Sequence, residues 1–255
     1  MEEVLAKKSN KFVDNQAQII DENDSADNIF LSKPISLRFW SSFFVILPIF
    51  LQAPWVRFQP LSALIFTFFI LALAISLSRN SSNKFFIIGS LLFGVCGSWL
   101  GGCLFWGWLS SHPVLHIPVE AVALPLAIVG LGSKWKIGSS FYISSLLGTA
   151  ITDITIFLTG IMNDWMAVIN AKPDQAPSIL QKTSENLIHL KPLTIILSIG
   201  VLVWLVSRFI RNFASLNSPN GRSFLVASYV LQTTLIVDGL FILIAIIQPN
   251  LSGLV

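Results

Sequence analysis

Seven stretches of this chain are each long and apolar enough to cross a lipid bilayer, and nothing else in the sequence limits the fold as much. They run approximately 36–53, 60–77, 85–109, 113–131, 137–162, 192–210 and 224–248. A spanning helix needs roughly 20 mostly apolar residues, with a range of about 17–25. Composition agrees: 54% of the 255 residues are hydrophobic and only 11% charged, where an ordinary soluble domain carries about 25% charged residues. Soluble packing cannot hide that much apolar sequence in so short a chain. The expected fold is therefore all-α, a polytopic bundle of about seven spans in one domain, residues 34–255, embedded in lipid. A net charge of +3 with dispersed basic residues argues against nucleic acid as a partner.

Charge sets the expected orientation, because Lys and Arg accumulate in cytoplasmic loops. With seven spans and a cytoplasmic N-terminus, the inner side holds Lys7, Lys8, Lys11, Lys33, Arg38, Arg79, Lys84, Lys134, Lys136, Arg208, Arg211 and Arg222. Only Arg57, Lys172, Lys182 and Lys191 lie outside. The first stretch is the weakest, because Pro48 interrupts it and Pro54 closes it. Making it re-entrant flips every later loop and degrades the split to nine against seven. The expectation is thus N-terminus in and C-terminus out. Residues 1–33 are polar, with Asp21, Glu22, Asp24 and Asp27 in one run and no apolar signal-peptide core, and are expected to form a disordered cytoplasmic arm. The external loop 163–191 is broken by Pro173 and Pro177, and its later part is patterned for a short amphipathic surface helix carrying His189. Ser218-Pro219-Asn220-Gly221 signals an inner turn.

The candidate chemistry lies in the fourth, fifth and seventh stretches. His112, His116 and Glu120 follow one another at four-residue spacing. Asp153 and Asp238 sit deep in the fifth and seventh stretches. Counting from the outer ends, Glu120, Asp153 and Asp238 fall ~10–15 Å down their helices, in one layer. Ionisable groups inside spans are costly and commonly mark ion or proton pathways. No Lys or Arg stands at that depth, so the three acids are expected to share protons, bind a cation or meet water. Pro118 and Pro125 leave the carbonyls of Val114 and Ala121 without their helical donors, and freed carbonyls often line transporter sites. Ser145, Thr149, Asp153 and Gly160 are expected to share a polar face. Thr234 stands one turn before Asp238.

Each of these features has a plainer reading. The acids can be structural hydrogen-bonding groups between helices, and His112 and His116 can be interfacial. The histidine pair also has the spacing of zinc ligands on a helix, and a metal or a tetrapyrrole at His112 or His116 is an alternative. Nothing indicates any other cofactor. Gly97 and Gly101 make a small-xxx-small step that lets another helix approach closely. Trp99, Trp106 and Trp108 stand toward the outer end of the third stretch, where tryptophan rings suit the headgroup layer. Cys96 and Cys103 are ~10 Å apart on one helix, too far for a mutual disulfide, and read as packing residues. Metalloprotease, nucleophile-elbow, phosphate-loop and dinucleotide signatures are absent, so no catalytic residue is assigned.

The segments Leu51-Gln52-Ala53-Pro54-Trp55-Val56-Arg57-Phe58, Gly97-Ser98-Trp99-Leu100-Gly101-Gly102-Cys103-Leu104-Phe105-Trp106-Gly107-Trp108 and His116-Ile117-Pro118-Val119-Glu120-Ala121 resemble an uncharacterised family of cyanobacterial multispanning membrane proteins. The likeness covers roughly residues 38–165. It supplies no activity and no site residues. It implies a plasma or thylakoid membrane and a role in assembling a photosynthetic complex. The leading functional expectation from the residues is a small permease or channel for protons, cations or a small solute. An accessory subunit of a larger membrane complex is the alternative, and an intramembrane enzyme with paired carboxylates the second.

Overall fold

The computed structural model describes residues 34–80, 82–172, 174–214 and 220–247. The acidic arm 1–33 and Ser218-Pro219 of the turn signal lie outside them. Among the described residues seven helices are long and apolar enough to cross a membrane. Span 1 is Ser36–Phe58, span 2 Pro60–Ser78, span 3 Asn83–Leu109, span 4 Pro113–Leu131, span 5 Lys136–Thr159, span 6 Leu190–Asn212 and span 7 Gly221–Ile247. No strand occurs among the described residues. The chain is an integral membrane protein. Large apolar side chains such as Phe58, Val114 and Val129 point outward, 76–86% exposed, as a lipid-facing surface requires.

Span 1 is long and apolar enough to cross as one continuous helix, and its prolines explain how. Pro48 and Pro54 would each remove a helical donor. The chain answers with a π-helical turn, Pro48–Gln52, in which the Ala53 N–H reaches back five residues to the Pro48 carbonyl. The helix therefore continues through Ala53–Phe58, past Pro54. The extra residue swings Gln52 into the core, where its side-chain amide donates to the Trp99 carbonyl at 2.6 Å and to the Cys103 sulfur at 3.1 Å.

Span 3 is the axis of the bundle. Its glycines remove side chains where neighbours must come closest. A Cβ on Gly94 would collide with the Gly138 carbonyl of span 5, and one on Gly138 would collide with the Ser90 carbonyl of span 3. The Gly138 N–H donates to Ser90 Oγ at 3.1 Å, so spans 3 and 5 touch backbone to backbone. Further along, a Cβ on Gly97 would press on the Tyr142 ring and Ala123, and one on Gly101 would stand 2.7 Å from the Glu120 Cα. Gly97 and Gly101 thus seat spans 5 and 4 against span 3.

Trp99 departs from its expected headgroup position. It is wholly buried, with its indole N–H on the Ala63 carbonyl of span 2 at 2.9 Å. Trp55 meets it edge-on and Phe66 at a tilt. Truncating so large a buried ring typically costs about 3–5 kcal/mol. Trp99→Ala is therefore expected to lower the thermal midpoint of the detergent-solubilised protein markedly, read as loss of monodispersity on heating. Trp106→Ala, nearer the surface, should lower it less.

Two boundaries also differ from expectation. Span 5 ends at Thr159, because Gly160 takes a left-handed conformation, φ +80°, which glycine adopts without steric cost. Gly160 therefore does not extend the polar face of span 5. The loop beyond holds two short helices, Met162–Asn170 and Ala176–Asn186, where one was expected. Val168, Ala176 and Leu180 pack with Ala245 of span 7 in a small separate core, and Trp165 meets Phe241 edge-on at 5.9 Å. His189 is exposed just before span 6.

Candidate functional site

Span 4 is an interrupted helix. A 3-10 turn, Pro113–Leu115, leads into a short α segment, His116–Glu120, then a second 3-10 turn, Ala121–Ala123, and α-helix Leu124–Leu131. Pro125 accounts for the second break. Lacking an N–H, it cannot serve the Ala121 carbonyl, which accepts the Leu124 N–H instead. The Glu120 carbonyl then lacks its usual Leu124 partner and accepts the Tyr142 hydroxyl of span 5 at 2.5 Å. Tyr142→Phe would remove this bond between spans 4 and 5, a net loss of about 0.5–1.5 kcal/mol. The variant is expected to fold but to melt several degrees lower in a thermal-shift assay.

That break places His116 between two acids. Its Nδ1 lies 2.8 Å from Asp153 Oδ2 on span 5, and its Nε2 lies 3.2 Å from Glu120 Oε1 on its own span. The ring stacks on Phe105 with centroids 4.1 Å apart and 25° between planes. Trp106 stands edge-on to it at 5.8 Å. Both aromatics belong to the π-helical turn Phe105–Leu109 that ends span 3. Such turns are rare and frequent at functional sites. The imidazole is thus held through both nitrogens and against both aromatic side chains, and all three ionisable side chains are mostly buried.

The sequence-derived candidates divide into two linked groups. His116, Glu120 and Asp153 form the first. Asp238 belongs to the second: its carboxylate accepts the Thr152 hydroxyl at 2.6 Å, and it lies within electrostatic reach of Asp153. Adjacent residues of span 5 therefore serve the two acid sites, Asp153 facing span 4 and Thr152 facing span 7. Thr149 joins neither; its hydroxyl turns back to the Ser145 carbonyl. Thr234 bonds to the Val230 carbonyl and packs against Gly148. His112 is exposed at the span end, with its Nδ1 2.9 Å from Ser111 Oγ.

The sequence reading missed Thr152, Tyr142, Phe105 and Trp106. Helical phase turns Thr152 about 100° away from Asp153, but which neighbouring helix that direction meets is set by packing and not by the sequence of span 5. Nothing in the sequence marks a π-helical turn at Phe105.

At His116 the metal and tetrapyrrole alternatives fit this geometry poorly. Among the described residues no group of three or more His, Cys, Asp or Glu side chains is arranged to hold a metal ion. The acids are strung along the two ring nitrogens rather than converging on a point. Neither nitrogen of His116 is left free for an axial bond.

Seven apolar spans, with a mostly buried histidine–carboxylate cluster among spans 3, 4 and 5, define a polytopic α-helical integral membrane protein. The family model described as protein of unknown function DUF3120 matches residues 41–246. The chain belongs to that family. No curated protein and no solved structure matches it.

Proposed function

We propose that the protein is a small permease that passes protons or small cations across its membrane through the His116–Glu120–Asp153 cluster. The observation carrying this reading is the buried imidazole bridging two carboxylates from two different spans. A charged group at the centre of a spanning helix costs about 2.5–3.5 kcal/mol even on the most forgiving scale. A purely structural link would be made more cheaply by neutral hydroxyls, as Ser42 and Thr233 do between spans 1 and 7 at 2.7 Å. The interrupted helix of span 4 supports the same reading, because non-helical backbone at membrane depth is tolerated where it lines a cavity or is buried in protein. His112 stands at the span end nearest the cluster, the end expected to face outward, and serves as the entry side. Asp238 with Thr152 is the next station toward span 7.

The test is reconstitution of the purified protein into liposomes loaded with a pH-sensitive dye. An imposed pH gradient should collapse faster than in protein-free vesicles. A rate equal to the protein-free control, with the protein inserted and monodisperse, overturns the proposal. Stoichiometric co-purification of other membrane subunits alongside that result would support the accessory-subunit reading.

A further inference from the structure

We infer that the cluster takes protons rather than metal cations, and that Phe105 and Trp106 are the positioning residues that make it so. The inference rests on the transport reading for its biological meaning but not for its test.

The hydrogen-bond inventory carries the first half. An ionised carboxylate only accepts, and a neutral imidazole offers one N–H and one lone pair. Both ring nitrogens face carboxylate oxygens at hydrogen-bond distance, so each N···O line must contain one proton. Two protons are therefore shared among three groups. Either both sit on the ring, or one sits on the ring and one on a carboxyl. The cluster carries a net charge of −1 in both cases. The arrangement is a proton-loaded latch between spans 4 and 5. Unloading breaks one N–H or O–H bond and passes that proton to a water molecule, which becomes hydronium, and the cluster goes from −1 to −2. A lone pair then faces a carboxylate; when the emptied line is the one to Asp153, spans 4 and 5 lose that side-chain link and keep the bond from the Tyr142 hydroxyl to the Glu120 carbonyl.

The second half rests on the aromatic side chains. An imidazole free to rotate could turn a nitrogen away from its carboxylate and offer it to a metal ion. Phe105 stacked at 4.1 Å and Trp106 edge-on at 5.8 Å oppose that rotation. The π-helical turn brings these consecutive residues to the same ring. The titratable groups facing His116 are Glu120 from its own span and Asp153 from span 5. Span 3 presents only the two aromatics. Asp238 lies behind Asp153 through Thr152, and His112 turns to Ser111.

The chain has three histidines, so His112→Gln with His189→Gln leaves His116 as the sole imidazole. Nitrogen-15 labelling of that variant in lipid bilayers gives a spectrum of one ring. The expected result at neutral pH is two hydrogen-bonded protons, one on each N···O line, unchanged by sodium, potassium, calcium or zinc. Asp153→Ala should remove one of them. Phe105→Leu, which keeps apolar bulk, should broaden both into an averaged signal, and Phe105→Tyr should restore them. If Phe105→Leu does not insert, Trp106→Leu with Trp106→Phe as the rescue supplies the same comparison. A proton on only one of the two N···O lines, or signals shifted by stoichiometric metal, overturns the proton latch. Spectra insensitive to Phe105→Leu or its Trp106 counterpart overturn the positioning role. Because the readout needs no flux, the latch can fail while transport stands, and the reverse.

Discussion

Gly138→Ala is expected to be among the most damaging single-methyl additions in this protein. The new Cβ would fall far inside van der Waals contact with the Ser90 carbonyl oxygen, and the Gly94 backbone closes the other side. Neither obstacle is the end of a flexible side chain, so spans 3 and 5 must separate along their crossing. That separation would also break the bond from the Gly138 N–H to Ser90 Oγ and disturb the packing around Phe141 and Val95, which lie in the same core. Overpacking of a core typically costs 1–3 kcal/mol, occasionally more, and rigid backbone on both sides puts this site at or beyond about 3 kcal/mol. Gly239→Ala in span 7 is the matched control, because its Cβ meets nothing within 4 Å. Alanine also favours a helix over glycine by about 1 kcal/mol. Thermal unfolding followed by size-exclusion chromatography should therefore show Gly138→Ala aggregated or strongly destabilised and Gly239→Ala at least as stable as the parent. Equal stability of the two would contradict the backbone contact between spans 3 and 5.

The second large effect is on transport itself. Asp153→Asn keeps the size and much of the hydrogen-bonding capacity of the side chain, so membrane insertion and helix packing should persist. An amide does not exchange a proton as a carboxyl does, however, and the step from His116 toward Asp238 is cut. Proton flux is expected to fall to the protein-free background, and Glu120→Gln should do the same from the other side of the ring. Full activity in both amides would sink the mechanism. Thr149→Ala should leave flux within about twofold of wild type, since its hydroxyl is spent on the Ser145 carbonyl and side-chain bonds of that kind stabilise little. Thr152→Val should slow it, because that hydroxyl is the contact that joins Asp238 to span 5.

Much of the architecture could be read from the chain because lipid makes simple demands. Apolar length alone marks each span to within a few residues. The spacing of Gly97 and Gly101 announces a close helix approach, which spans 4 and 5 take up. The depth argument brings Glu120 and Asp153 within reach of one another, since two spans joined by a short hairpin keep equal depths side by side. Helix rotation about its own axis is not fixed in that way. Nothing in the local pattern of span 5 tells whether Thr149 or Thr152 shares a neighbour with Asp153's site, because several helices surround it and packing chooses the phase. For the same reason Trp99 looked like a headgroup anchor. Its depth was near an interface, but the glycine-rich face around it and the turn made by Pro48 and Pro54 create an interior slot. The π-helical turns are the least legible features. They arise where proline removes a donor in span 1 and, in span 3, where the chain rearranges to set Phe105 and Trp106 against His116.

The most direct test of a proton-exchanging cluster is the current that follows a pH jump on a solid-supported membrane coated with reconstituted protein. Wild type should give a transient current whose sign reverses with the direction of the jump, and Asp153→Asn at equal density should give none. Equal currents from the two proteins, or silence from both, would contradict the assignment of His116, Glu120 and Asp153 as the path.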